Sequence, residues 1–330
     1  MKKSLIVFVI LISTAIFAQP KYSKISSMPG AFSRVGFGAR GMGMGNAMSA
    51  VTEGNLVSYY NPALSSFQND NSFQTSYSFL SLDRSLNFLS FTRKFEYFSS
   101  KNRTKKPSTI AGISLGIINS GVSNIDERDN SGVKTGDLST SENQFFIGLS
   151  NRFSDRFALG IAIKFYYYKL YQDIKSNGLG FDIGAIYVLN PEWNFSLVIS
   201  DINSKYKWDS TPLYNTDGTS TENNFPNLRK FGIRYKNENI GLIAGFEFEN
   251  TDADANFIRF GAEYNIIDKL YFRGGIDQIN LSNKDYPANP SLGFSYFKKF
   301  GDIIFGVDYA FVIEPYSTSD RHIVGVNVNF

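Results

Sequence analysis

The sequence predicts an all-β fold, a transmembrane outer-membrane β-barrel of about 14 antiparallel strands with a small N-terminal helical plug. Three observations predict it. From residue 72 onward the chain breaks into segments of roughly ten residues that alternate apolar and polar, the last closing on Phe330. The connections alternate in length, as long external loops and short periplasmic turns require. The 19 Tyr and 31 Phe supply the aromatic girdles of two membrane interfaces. In lipid every backbone N–H and C=O must find a partner within the protein, so a spanning sheet has to close on itself.

Taken in order, residues 1–18 read as a signal peptide: Lys2 and Lys3, the apolar run Leu5 to Phe17, and the small residue Ala18, with cleavage expected before Gln19. The formal charge of +3 falls to +1 when the two leader lysines are removed, which leaves no electrostatic drive toward nucleic acid. With no cysteine there is no disulfide, thiolate metal site or acylated anchor. No later run reaches about 18 apolar residues, so no membrane helix follows. Export without a membrane helix points to the cell outer membrane, with its lipid and the barrel assembly machinery as partners.

Residues 19–71 form the expected plug, or hatch. Between Pro29 and Phe67 there is no strand period but an abundance of small residues, above all from Gly36 to Ala47, which suits close backbone packing. Gly41, Gly43 and Gly45 superficially resemble a nucleotide-binding run, but no hydrophobic strand precedes them. Asn61-Pro62-Ala63-Leu64 is a helix start, with Asn as cap and Pro in the first turn.

Residues 72–330 form the barrel. The predicted strands are Ser72 to Leu82, Leu86 to Phe95, Thr109 to Ile118, Asn143 to Phe153, Phe157 to Lys169, Gly178 to Leu189 and Asn194 to Ile202. They continue with Asn227 to Tyr235, Ile240 to Glu249, Asn256 to Tyr264, Leu270 to Gln278, Ser291 to Lys298, Ile303 to Phe311 and Arg321 to Phe330. Phe157, Leu159, Ile161, Ile163 and Phe165 share the lipid face, while Ala158, Gly160, Ala162, Lys164 and Tyr166 face inward. Val324, Val326, Val328 and Phe330 face outward on the closing strand, and Val326, Val328 and Phe330 resemble an assembly signal. The predicted external loops are Asn119 to Glu142, Leu170 to Asn177, Asn203 to Pro226, Asn250 to Ala255, Ile279 to Pro290 and Val312 to Asp320. Ser99 to Ser108 breaks the pattern, being long and basic on the periplasmic side. Asp126, Glu127 and Asp129, like Asp252 and Asp254, lack the spacing of a calcium loop. Inward-facing Lys230, Arg234, Glu247, Glu249, Arg259, Glu263, Arg273 and Asp277 read either as a charged path or as a cross-strand ladder that stiffens the lumen.

The run from Gly38 to Ala47, with Arg40, Gly41, Met42, Gly43, Gly45 and Ala47, followed by Ala50-Val51 and by Asn61, Pro62 and Ala63, resembles the N-terminal hatch of the FadL-like outer-membrane superfamily. Within it, the arginine-glycine-methionine run is similar to the PorV/PorQ family. The superfamily resemblance implies a fourteen-stranded barrel plugged by its N-terminal segment. This chain departs from it at Thr52-Glu53-Gly54, where relatives often carry an acidic pair.

The PorV/PorQ resemblance implies a non-enzymatic component of type IX secretion that binds exported cargo proteins and works with a secretion translocon. Its external contact residues would be Tyr206, Trp208 and Tyr214, because the loop that carries them is long and aromatic. The alternative implied by FadL-like relatives is passive transport of long-chain fatty acids or other hydrophobic small molecules. Phe32, Phe37, Met42, Met44 and Met48 would then line a ligand site, and Gly112, Gly116 and Gly121 would weaken the wall. Catalysis is not expected: the sole histidine, His322, shares parity with the lipid-facing residues of its strand, and neither a metal cluster nor a cofactor motif is present.

Overall fold

The computed structural model describes residues 23–98, 107–171 and 174–330. The signal-peptide expectation and nearly all of the basic turn at 99–108 lie outside them. Fourteen strands close into a barrel: β1 (Ser72–Phe79), β2 (Arg84–Tyr97), β3 (Thr109–Arg128), β4 (Lys134–Ser154), β5 (Phe157–Tyr171), β6 (Ile174–Val188) and β7 (Trp193–Ile202). β8 (Lys205–Asp209) and β9 (Ser220–Asn224) pair with each other as a separate two-stranded sheet outside the barrel ladder. The wall resumes with β10 (Leu228–Asn237), β11 (Leu242–Thr251), β12 (Asn256–Ile267), β13 (Leu270–Asn280), β14 (Asn289–Phe300), β15 (Ile303–Val312) and β16 (Arg321–Asn329). Closure comes from antiparallel pairing of β1 with β16, from Ser72 opposite Asn329 to Phe79 opposite His322. No sheet edge is left in the barrel to face lipid.

The period of two places side chains as expected. On β5, Leu159, Ile161, Ile163 and Phe165 are exposed and Ala158, Ala162, Lys164 and Tyr166 are buried. The same outward apolar set continues through Ile147 and Leu149, Phe181 and Ile183, and Leu292, Phe294 and Val324, giving the barrel its lipid-facing band.

Three predicted loops contain strand. Asn119 to Glu142 continues β3 and β4 as a hairpin that stands beyond the membrane, paired as far as Arg128 opposite Lys134, with a bulge near Asn124. Apolar alternation missed it because a ladder outside lipid needs no greasy face. Asp126 is spent on ion pairs, to Arg128 at 2.5 Å and to Lys134 at 3.0 Å, and Asp129 accepts from the backbone N–H of Ser131 and Val133. Leu170 to Asn177 shortens because β5 and β6 run to Tyr171 and from Ile174. Asn203 to Pro226 holds β8, β9 and a short helical turn between them.

The plug runs through the lumen from the external mouth to the periplasmic rim. Near its start Ser26 Oγ lies 3.0 Å from Tyr286 Oη and Lys24 lies 3.9 Å from Asp254, both on external loops; at its end Asn71 bonds the backbone of Phe330. Along the way it forms 3-10 turns at Lys24–Ser27, Ala31–Arg34 and Pro62–Phe67 and one helix, α1 (Gly38–Gly43). Asn61 caps the last 3-10 turn as its sequence implies, its side chain accepting from Ala63 N–H at 2.9 Å. The same amide donates to Ser49 O at 2.9 Å and, across to the wall, to Ala185 O at 3.2 Å.

A belt of inward glycines lets the plug backbone sit directly on the barrel wall. A Cβ at Gly160 would stand 2.3 Å from the Pro62 carbonyl carbon, and one at Gly112 2.2 Å from that of Ser65. On the opposite wall, Cβ atoms at Gly245 and Gly261 would lie 2.2 Å from Ala47 O and 2.1 Å from Met44 O. Gly112 and Gly116 therefore accommodate the plug and the Phe146 ring, and the wall stays paired around them. Gly160→Leu or Gly261→Val should leave the barrel assembled but unseat the plug, at a cost of about 1–3 kcal/mol. The change would be read as proteolysis within residues 29–67 of folded, reconstituted protein that resists in the unsubstituted chain.

Candidate functional site: the plugged lumen and its mouths

Small residues of the plug decide where the larger ones go. Gly41 leaves room for the Tyr60 hydroxyl, which a Cβ there would approach to 1.9 Å. That hydroxyl accepts from Phe37 N–H at 2.9 Å and lies 2.7 Å from Asn46 Oδ1. Asn46 in turn donates to Asp277 Oδ2 on β13 at 2.7 Å. Gly45, at φ +56°, turns the chain where a side chain would strike the backbone at Phe260 O and Ile276 N, each 2.6 Å away.

Arg40 is the electrostatic anchor of the plug. It leaves α1 toward Glu263 on β12, donating from Nε at 3.0 Å and from Nη2 at 2.8 Å, while Nη1 donates to Glu53 O at 2.6 Å. Arg273 on β13 donates to the same carboxylate at 2.5 Å, so two guanidinium groups converge on one acid. Glu53, at the departure from the hatch pattern, pairs with Arg234 at 2.5 Å. Of the cations on β10, Lys230 lies 3.9 and 3.5 Å from Glu247 and Glu249, which also pair with Arg259 at 3.2 and 3.0 Å, and Arg259 also reaches Asp277 at 2.6 Å. All these charges except the half-buried Glu53 and Lys230 are buried, and all are partnered across strands or to the plug, so among the described residues the arrangement acts as a cross-link in the lumen rather than a row of free charges.

The proposed ligand-lining residues are mostly packing. Phe37 sits among Phe88 and Phe146 of the wall, with ring centroids 5.0 and 5.9 Å away, and Phe32, Met44 and Met48 are buried with it in the plug core. Met42 borders an external vestibule of about 280 Å³ whose walls also carry Arg34, Asn46, Arg259, Asp277 and Arg321. Its lining mixes these charges with Ile25, Val35, Phe257 and Val312. The hatch residues Gly43, Ala47, Pro62 and Ala63 all lie buried against the wall or the plug core.

Of the three aromatics proposed as external contacts, Tyr206 is not exposed. The β8–β9 segment folds inward, and Tyr206 packs on Tyr168, Trp208 and Phe225 with centroids 5.4, 5.6 and 4.9 Å away. Phe225 also stands against Gly30 of the plug. Length and polarity made this loop look free, whereas Gly178 and Gly180 on β6, which admit Lys205 O and Ser204, were the signal that it lies down on the wall. Tyr214 is exposed; Trp208 is half-buried and helps line an apolar rim groove of about 250 Å³ with Leu170, Tyr171, Ile174 and Leu213. His322 faces outward and meets Tyr309 Oη at 2.7 Å through Nδ1. Val326 and Val328 lie on the outer face of β16, and Phe330 lies just beyond it.

This architecture is similar to solved structures. The Pseudomonas putida toluene transporter TodX matches with a TM-score of 0.59 at 14% identity, over 89% of this chain and 99% of that one. A TodX variant described as a monoaromatic hydrocarbon channel matches at 0.58 and 13%, over 89% and 97%. A Pseudomonas aeruginosa FadL homologue matches at 0.55 and 10%, over 89% and 98%. At such identities the likeness is one of fold. No family model and no curated protein matches the sequence, so the narrower likeness to the PorV/PorQ family has no support beyond the motif itself.

Glu263→Ala would leave Arg40 and Arg273 buried without their shared acid, a loss of about 3–5 kcal/mol. Thermal unfolding of the reconstituted barrel should show a lower midpoint for this variant than for Glu53→Ala, whose carboxylate is less enclosed.

Proposed function

We propose that the protein is an outer-membrane channel for a hydrophobic small molecule, fitting the transport reading better than type IX secretion. One observation carries this: the lumen is filled by a plug seated on wall glycines, while the external rim holds an apolar groove lined by Leu170, Tyr171, Ile174, Trp208 and Leu213. A lumen so filled suits no open aqueous pore, whereas a greasy groove beside the barrel mouth suits capture of an apolar solute from the outside. The fold shared with a toluene transporter and a FadL homologue supports the same reading. Secretion remains the reading of the arginine-glycine-methionine run, but its proposed cargo surface loses Tyr206 to the interior.

The test is uptake of a radiolabelled alkyl or aromatic hydrophobe by cells that express the protein. Trp208→Ser combined with Leu213→Asp should lower the rate by about tenfold, equivalent to about 1.4 kcal/mol of lost capture, with the barrel still heat-modifiable on gels. Equal uptake with and without the protein would overturn the proposal.

A further inference from the structure

The outer face of the β5–β6 pair follows the polarity of one lipid leaflet row by row. Toward the external end, Ile163 stands opposite Phe181, Phe165 opposite Leu179, Tyr167 opposite Asn177 and Lys169 opposite Lys175. Lys164, Tyr166 and Ser176, of the other parity, are buried inside, which puts both lysines on the lipid side of the wall. The outward side chains from Phe157 to Phe165, and from Leu179 to Tyr187 opposite them, are apolar or aromatic. That stretch matches the roughly nine to eleven residues a tilted strand needs to cross the hydrocarbon. The lysine row therefore stands where head groups begin.

Two ammonium groups directly across a ladder repel each other, and this pair is left uncompensated. Like charges also stand opposite on the β3–β4 hairpin, Asp126 with Asp137 and Arg128 with Lys134. There each pair answers the other: Asp126 reaches Arg128 at 2.5 Å and Lys134 at 3.0 Å, and Lys134 reaches Asp137 at 2.6 Å. Among the described residues no side-chain hydrogen bond or ion pair engages Lys169 or Lys175. Their row continues through Ser141, Gly121 and Ser85, and the row beneath through Asn143, Asn119 and Asn87, with no acid in either. The asparagine amides are spent on one another, Asn87 to Asn119 at 3.1 Å and Asn119 to Asn143 at 2.7 Å. Gly121 and Ser141 are small and leave a ledge beside Lys169. On the other flank the β6–β7 ladder ends at Phe181 and Ile202, so no wall strand crowds Lys175.

We infer that this face holds a phosphorylated, multi-chain lipid of the outer leaflet, its phosphate between Lys169 and Lys175 and its acyl chains along Phe165, Leu179, Ile163 and Phe181. Ammonium groups on flexible stems meet a phosphate as point charges and need no fixed fork geometry. The apolar rows directly beneath the charges commit the site to a lipid, because a free phosphate would use the lysines alone. The inference goes beyond the transport reading and does not rest on it: the site lies outside the wall and shares no residue with the lumen or the rim groove.

The full chain in mild detergent is titrated with bisphosphorylated lipid A, with the same glycolipid stripped of phosphate, and with tailless glucosamine 1-phosphate, and native mass spectrometry reads the occupancy. The barrel should retain the bisphosphorylated lipid, and Lys169→Gln with Lys175→Gln should weaken that retention about thirtyfold. Lys169→Arg with Lys175→Arg should keep it. Lys298→Gln with Lys299→Gln, which removes the same charge at the periplasmic end, should leave it unchanged. Lys175→Glu gives Lys169 a partner across the ladder, so it should lose the lipid while raising the thermal midpoint of the lipid-free barrel, a combination that misfolding would not produce. Full retention by the double Gln variant, equal loss in the Lys298 and Lys299 variant, or equal binding of the phosphate-free glycolipid would overturn the site. Equal binding of glucosamine 1-phosphate would overturn its assignment to a lipid.

Discussion

Contact between plug backbone and wall backbone is the constraint on which the rest of the structure depends. Where Met44 O and Ala47 O approach Gly261 and Gly245, and where Pro62 and Ser65 approach Gly160 and Gly112, no side chain stands between the layers. Such closeness gives dispersion contact along the peptide itself and leaves polar side chains to tie one layer to the other. Asn61 reaches Ala185, Asn46 reaches Asp277 and Arg40 reaches Glu263, each bridging plug to wall. A plug with little regular helix combines these bridges with its own turns, such as Asn46 N–H to Gly41 O at 2.8 Å and Val51 N–H to Met48 O at 3.1 Å.

Buried ions in the lumen follow from the same geometry. Taking Arg40, Arg259 and Arg273 out of water is costly, and each is compensated by carboxylates on a neighbouring strand or across to the plug. Arg259 divides its donors among Glu247, Glu249 and Asp277, so moving β11 relative to β13 would strand a charge. The side formed by β2 to β6 is filled by Phe37, Phe88, Phe146 and Tyr166 and carries its own buried cluster, Lys164 with Asp182 at 2.8 Å and Asp201 at 3.0 Å.

The lipid-spanning strands were legible because lipid enforces a strict period of two, and Phe157 to Tyr166 alternates in space as it does in sequence. Legibility failed where lipid stops acting. The hairpin beyond Asn119 is held by Asp126, Arg128 and Lys134, a pattern that reads as a solvated loop when its partner strand is unknown. Tyr206 was misread for a related cause: a residue in a long polar segment looks free until the glycines that receive the segment, Gly178 and Gly180, are seen to face it. Of the plug, the glycine run announced close packing and Asn61 announced its cap, but neither says which wall strand is touched. The partner of Glu53 was invisible for that reason, since Arg234 is 181 residues away along the chain.

Because the plug is threaded from Ser26 at the outer mouth to Asn71 at the inner rim, the barrel is topologically a ring around its own leading segment. The seam between β1 and β16 joins the strand that directly follows the plug to the far side of the sheet. A sheet closed first would have to admit the plug end-on, past side chains that fit only when everything is in place, whereas a plug laid on the open sheet before β16 meets β1 would meet no such passage.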